Sequence, residues 1–103
     1  MEVKYPYKFS KIATEDLRKI TDYISYVLLN PSASEKLVYE FLDALERISL
    51  FPLSCSLVQN ELIKEQGLRK LIVQKYILFY KFGKNEIRVV WILYGMRNYS
   101  NLL

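Results

Sequence analysis

The feature that most constrains the fold of this 103-residue chain is a change of hydrophobic period at Gly67. Before it, apolar residues return every three or four positions and so line one stripe of a helix. After it, β-branched and aromatic residues crowd into short runs of the kind that pave a strand. Leu17, Ile20, Ile24, Val27 and Leu28 make the first stripe, with Thr14 predicted as N-cap and Glu15 and Asp16 in the first turn. Asn30-Pro31 ends this helix, because the residue before a proline avoids helical backbone. Ser32 and Glu35 have capping-box spacing for a second helix, faced by Leu37, Val38, Phe41, Leu42, Leu45 and Ile48 and stopped by Phe51-Pro52. So short a connection predicts an antiparallel hairpin.

Val3 to Phe9 predicts a first strand, with Pro6 pointing to an edge position. Residues 53–66 read as a connecting loop with room for a short helical turn. Leu68–Val73, Ile77–Phe82 and Glu86–Tyr94 predict three more strands, joined by a tight connection at Gln74-Lys75-Tyr76 and a hairpin turn at Gly83-Lys84-Asn85. The expected fold is α+β: an N-terminal strand, an antiparallel two-helix hairpin, then an antiparallel three-stranded meander, in one domain over residues 1–103. The helices must cover one face of the sheet to bury their stripes. The other face is left for function.

Composition narrows the chemistry. Hydrophobic residues at 51% against 25% charged give enough apolar material for a core and argue against disorder. The chain has no histidine and a single cysteine, Cys55. Histidine acid–base catalysis and an intramolecular disulfide are thereby excluded, and with no Cys/His cluster neither a zinc site nor any cofactor is expected. No uncharged apolar run reaches the ~18 residues of a membrane span. Met1–Ser10 lacks the apolar core of a secretory signal, so a cytoplasmic location without membrane contact is expected. Residues 1–63 hold seven Lys/Arg against nine Asp/Glu, whereas residues 64–103 hold eight against two. That basic C-terminal part fits a polyanion or an acidic protein segment as partner, or simply a solvated surface.

Arg69 and Lys70 are adjacent on a strand and point to opposite faces, so one of them lies on the face away from the helices. Such a cation either holds a phosphate or caps the sheet edge. Gly95 would allow a sharp turn that presents Arg97, whose planar fork suits phosphate. Tyr99 either stacks on a base or donates a proton, or else closes a C-terminal clasp with Leu102 and Leu103. Tyr76 and Tyr80 stand among cations, as a nucleic-acid surface requires, or complete the core. Trp91 is read as core, and Tyr23, Tyr26 and Tyr39 as core-boundary residues. Cys55 has no base beside it. Glu61 and Glu65 serve as a general base or as solvated surface.

Taken in order, Asn30-Pro31-Ser32-Ala33-Ser34, Gly67-Leu68-Arg69-Lys70-Leu71-Ile72-Val73, Tyr76-Ile77-Leu78-Phe79-Tyr80 and the run Val89 to Tyr99 resemble the RelE/ParE toxin superfamily over nearly the whole chain. The resemblance implies a small sheet backed by a helical hairpin, and a cognate antitoxin that wraps the toxin. It also implies one of two targets. ParE-like members inhibit DNA gyrase by binding; RelE-like members are metal-independent endonucleases that cut mRNA on the ribosome. Arg97, in Gly95-Met96-Arg97, matches a phosphate-binding position of the nucleases, and Arg69 falls near another cation of theirs. Ile77 stands where many members carry Arg, and the C-terminal His of some nucleases is absent. In a nuclease Arg69, Arg97 and Tyr99 would be catalytic. Lys70, Lys75, Tyr76 and Arg97 would contact the substrate or target. The departures, with the Asn-Pro linker, make the gyrase-binding type the expectation. The nuclease and a non-toxic basic binding module are the alternatives.

Overall fold

Side-chain oxygens start both helices. Ser10 Oγ accepts the Ala13 N–H at 2.9 Å and begins α1, Lys11–Asp22. Asn30 Oδ1 accepts the Ala33 N–H at 3.2 Å and begins α2, Pro31–Leu50, with Pro31 in the first turn where its missing N–H costs nothing. These elements come from a computed structural model that describes residues 3–58 and 67–95. Thr14 and Ser32, the expected caps, are instead donors: Thr14 Oγ1 to the Ser10 carbonyl and Ser32 Oγ to Asn30 Oδ1. The α1 stripe also ends early. A π-helical turn, Tyr23–Val27, follows α1, with the Leu28 N–H donating to the Tyr23 carbonyl. The wider turn rotates later positions off the stripe, so Ile24 is buried while Val27 and Leu28 are 63% and 56% exposed. Leu29 reverses the chain with a φ of 53°.

The sheet has strand order β1-β4-β3-β2, with β1 Tyr7–Phe9, β2 Arg69–Val73, β3 Tyr76–Gly83 and β4 Glu86–Tyr94. The expected antiparallel meander is present as β2-β3-β4, and β1 adds an edge parallel to β4, so the sheet is mixed. β1 is shorter than expected, starting after Pro6, whose carbonyl accepts the Ile87 N–H. Three residues of β1 cover little of β4. Beyond them the start of α1 serves as the edge. The Ser10 N–H donates to the Val89 carbonyl and its Oγ to the Val90 carbonyl, while Asp16 Oδ2 accepts the Ile92 N–H at 3.1 Å. Every such bond satisfies a backbone group that would otherwise be buried unpaired. The β3–β4 hairpin turns on Lys84 and Asn85, at φ 53° and 60°, rather than on Gly83, which ends β3. That double left-handed turn matches the twist of the strands it joins.

Between the layers lies one core. α2 contributes Leu37, Phe41, Ala44, Leu45 and Ile48, α1 contributes Ala13, and the sheet contributes Val73, Leu78, Tyr80, Ile87, Val89 and Ile92. Leu45, Leu78, Tyr80, Ile87 and Val89 have no exposed surface, and burying each such side chain is worth about 1.5–3 kcal/mol. Leu42, expected on this face, sits at its margin and is 39% exposed. Among the described residues no helix is long and apolar enough to cross a membrane.

Candidate functional site

Side chains alternate along a strand, so every residue of the sheet not turned into the core points to the open face. Two kinds of surface result. At one end, Leu68, Ile77 and Phe79 are buried under Val58, Val90, Trp91 and Leu93. A bulge makes this possible: Phe79 pairs with Trp91 but Tyr80 with Val89, so Val90 is an extra residue and both it and Trp91 face outward. Phe79 and Trp91 meet edge to face at 6.4 Å. Trp91, expected in the core, is therefore half-buried on the open face instead. Ile72 on β2 extends this apolar surface and is 63% exposed.

The other end of the face is cationic. Tyr7, Phe9, Tyr80, Phe82, Ile87 and Val89 all belong to the core, which turns Lys8, Lys81 and Arg88 outward. Register aligns the three: Lys8 pairs with Arg88, and Arg88 with Lys81, across three adjacent strands. Glu86 lies beside them, 3.2 Å from Arg88 and 3.5 Å from Lys8. The Arg88 hydrogen bond, supported by Lys8, holds the Glu86 carboxyl below the usual carboxylate range. Reading the chain alone did not nominate these three cations. Each does sit between two apolar residues at period two, and that signal was legible, but only the register lines them up.

Among the described residues, the nominated ones are scattered rather than gathered. Arg69 shares its face with Leu71 and Val73, the helix side. Its guanidinium donates to the Cys55 carbonyl at 2.6 Å and the Leu53 carbonyl at 3.2 Å, pinning the segment after α2. Beside it Tyr80, wholly buried, donates to the Pro52 carbonyl at 2.8 Å, and burial pushes its phenol far above the usual range. Lys70 is the member of the pair on the open face, opposite Phe79, and its N–H donates to the Ser56 carbonyl. Lys75 lies exposed in the two-residue β2–β3 turn. Tyr76 faces the helices, with its ring 6.4 Å from Phe41 and 5.6 Å from Tyr94; burial, then the nearby Tyr94 and Tyr23, raise its phenol. Tyr23, Tyr26 and Tyr39, expected at the core boundary, are 52%, 75% and 75% exposed.

Gly95 follows β4 in a turn, and close contacts also favour a glycine there. Its φ is not left-handed; its N–H donates to the Lys75 carbonyl at 2.6 Å, and a Cβ would come within 3.1 Å of that oxygen and of Ile77. Arg97 and Tyr99, with Met96, Glu61 and Glu65, lie outside the described residues. Among the described residues no group of three or more His, Cys, Asp or Glu could hold a metal ion.

Residues 7–99 match the profile of the ParE toxin of type II toxin–antitoxin systems, parDE. The chain belongs to the ParE toxin family. Two solved structures carry the same fold. The chromosomal ParDE toxin–antitoxin system of P. aeruginosa superimposes with a TM-score of 0.68 at 18% identity, over 88% of this chain and 96% of that one. The RelBE2 toxin–antitoxin complex of Mycobacterium tuberculosis does so with a TM-score of 0.60 at 21% identity, over 89% and 99%. No curated protein sequence matches the chain significantly. The family and the helix-backed sheet anticipated from the ordered motifs are thus both present in this ParE-family toxin.

Proposed function

We propose that this ParE-family toxin inhibits growth by binding DNA gyrase in the cytoplasm, and that a cognate antitoxin restrains it by covering the open sheet face. The observation that carries this reading is the placement of Arg69. Its fork is committed to two backbone carbonyls on the helix side, so it does not reach a substrate on the open face. Position 77, where many members of the superfamily carry Arg, holds an Ile that is 7% exposed and packed with Leu68 and Phe79. An open face built from Ile72, Trp91 and Leu93 offers apolar anchors of the kind a protein partner buries. Purified chain added to gyrase and relaxed plasmid is expected to suppress supercoiling; undiminished supercoiling at large excess refutes the reading.

One observation favours a second reading, a RelE-like ribosome-dependent mRNA endonuclease. Lys70 stands on the open face, half-buried and opposite Phe79, where it is available to a phosphate. In that case, induced expression produces new 5′ ends inside codons of translated messages, and Lys70→Ala/Arg97→Ala abolishes them. Growth without arrest on induction speaks against both and leaves a non-toxic binding module.

A further inference from the structure

We infer that the cationic end of the open face, Lys8, Arg88 and Lys81, is a separate binding site for the phosphate backbone of duplex DNA. This goes beyond the gyrase reading and does not depend on which target is poisoned.

Three features carry it. First, the residues form one cross-strand row, so their roots are about 4.8 Å apart from strand to strand and span about 10 Å. Lys8 and Arg88 side chains are 72% and 61% exposed, and long enough to adjust to phosphates on one strand of a duplex. Second, the row is chemically unlike the rest of the face. The apolar end has the aromatic and aliphatic anchors that dominate protein interfaces, whereas the row is made of Lys and Arg. Cations without apolar anchors gain affinity chiefly by releasing counterions from a polyanion. Third, among the described residues the row presents no open ring on which unstacked bases could sit. Phe79 is wholly buried and Trp91 is half-buried against its edge. Single-strand binders need such platforms, so the duplex fits better. Glu86 tempers the row by pairing with Lys8 and Arg88. It gives the site a built-in counterion that an incoming phosphate displaces.

The test is fluorescence anisotropy of a labelled 20-base-pair duplex titrated with the purified chain. Two phosphate contacts, from Lys8 and Arg88, predict that affinity falls about 12-fold between 50 and 200 mM salt. Lys8→Ala/Arg88→Ala should weaken binding and remove most of that dependence. Glu86→Gln should act in the opposite direction and tighten binding at least threefold at 50 mM salt. Lys19→Ala/Lys36→Ala removes the same charge from the helical side and should change little. Circular dichroism melts confirm that each variant is folded. The inference is overturned if the duplex does not bind at 50 mM salt, or if the helix-side variant loses as much affinity as the row variant. It is equally overturned if a single strand or an acidic polyglutamate peptide binds more tightly than the duplex.

Discussion

Replacing Arg69 with alanine separates two roles that look identical in the sequence. If Arg69 is a strut, as its geometry indicates, the variant loses the bond to the Cys55 carbonyl at 2.6 Å and the longer, more exposed one to Leu53 at 3.2 Å. A hydrogen bond with a charged donor contributes about 1.5–3 kcal/mol, and the exposed one adds little, so the loss should be about 2 kcal/mol. For a domain of this size that lowers Tm by roughly 10 °C. Arg69→Lys keeps the charge but has no planar fork, and should recover less than half of the loss. Tyr80→Phe, which removes the neighbouring bond to the Pro52 carbonyl, should cost about 1 kcal/mol and couple to Arg69→Ala, because both side chains hold the same segment. The assay is urea unfolding followed by far-ultraviolet circular dichroism, with growth arrest scored in parallel. An Arg69→Ala chain that unfolds at the parental midpoint yet no longer arrests growth would refute the strut and make Arg69 a contact to the target.

Three further outcomes follow from the same geometry. Ser10→Ala and Asn30→Ala each remove a helix cap and should cost about 1 kcal/mol; Ser10→Ala should be the larger loss, since its Oγ also donates to the Val90 carbonyl, and equal urea midpoints would contradict this. Glu15, Glu46 and Glu86 are held below the usual carboxylate range by Arg18, Lys4 and Arg88, so their stabilisation is present above the unfolded value of about 4.3 and is lost as pH falls through the folded values; a triple Glu→Gln variant should show a flatter decline in urea midpoint between pH 5.5 and 3. Lys84→Asn/Asn85→Gly places better left-handed formers in the β3–β4 turn and should raise stability by about 1 kcal/mol, read as a higher Tm.

Much of the fold was legible because it depends on period. The stripe Leu37, Phe41, Leu45 and Ile48 could bury itself only as a helix, and the crowded runs after Gly67 only as strands, so the two layers and the meander follow from side-chain spacing. Helix starts are less legible, because several residues near each end can cap. Ser10 and Asn30 were chosen over Thr14 and Ser32 by where β4 and the Leu29 reversal place the chain. The π turn that turns Val27 and Leu28 outward leaves no mark at the level of composition.

The candidate site divides the same way. That Arg69 and Lys70 must point to opposite faces follows from the alternation of a strand. Which of them faces outward was decided by the packing of α2 on the sheet and by the Leu53 and Cys55 carbonyls that meet the guanidinium. The family, the two layers and a basic C-terminal part are legible in the order and spacing of the residues. Lys81 and Arg88 face each other across a local hairpin, but only the tertiary structure added Lys8 to them, because it stands far away in the chain. It meets them through the parallel pairing of β1 with β4, which no local pattern encodes.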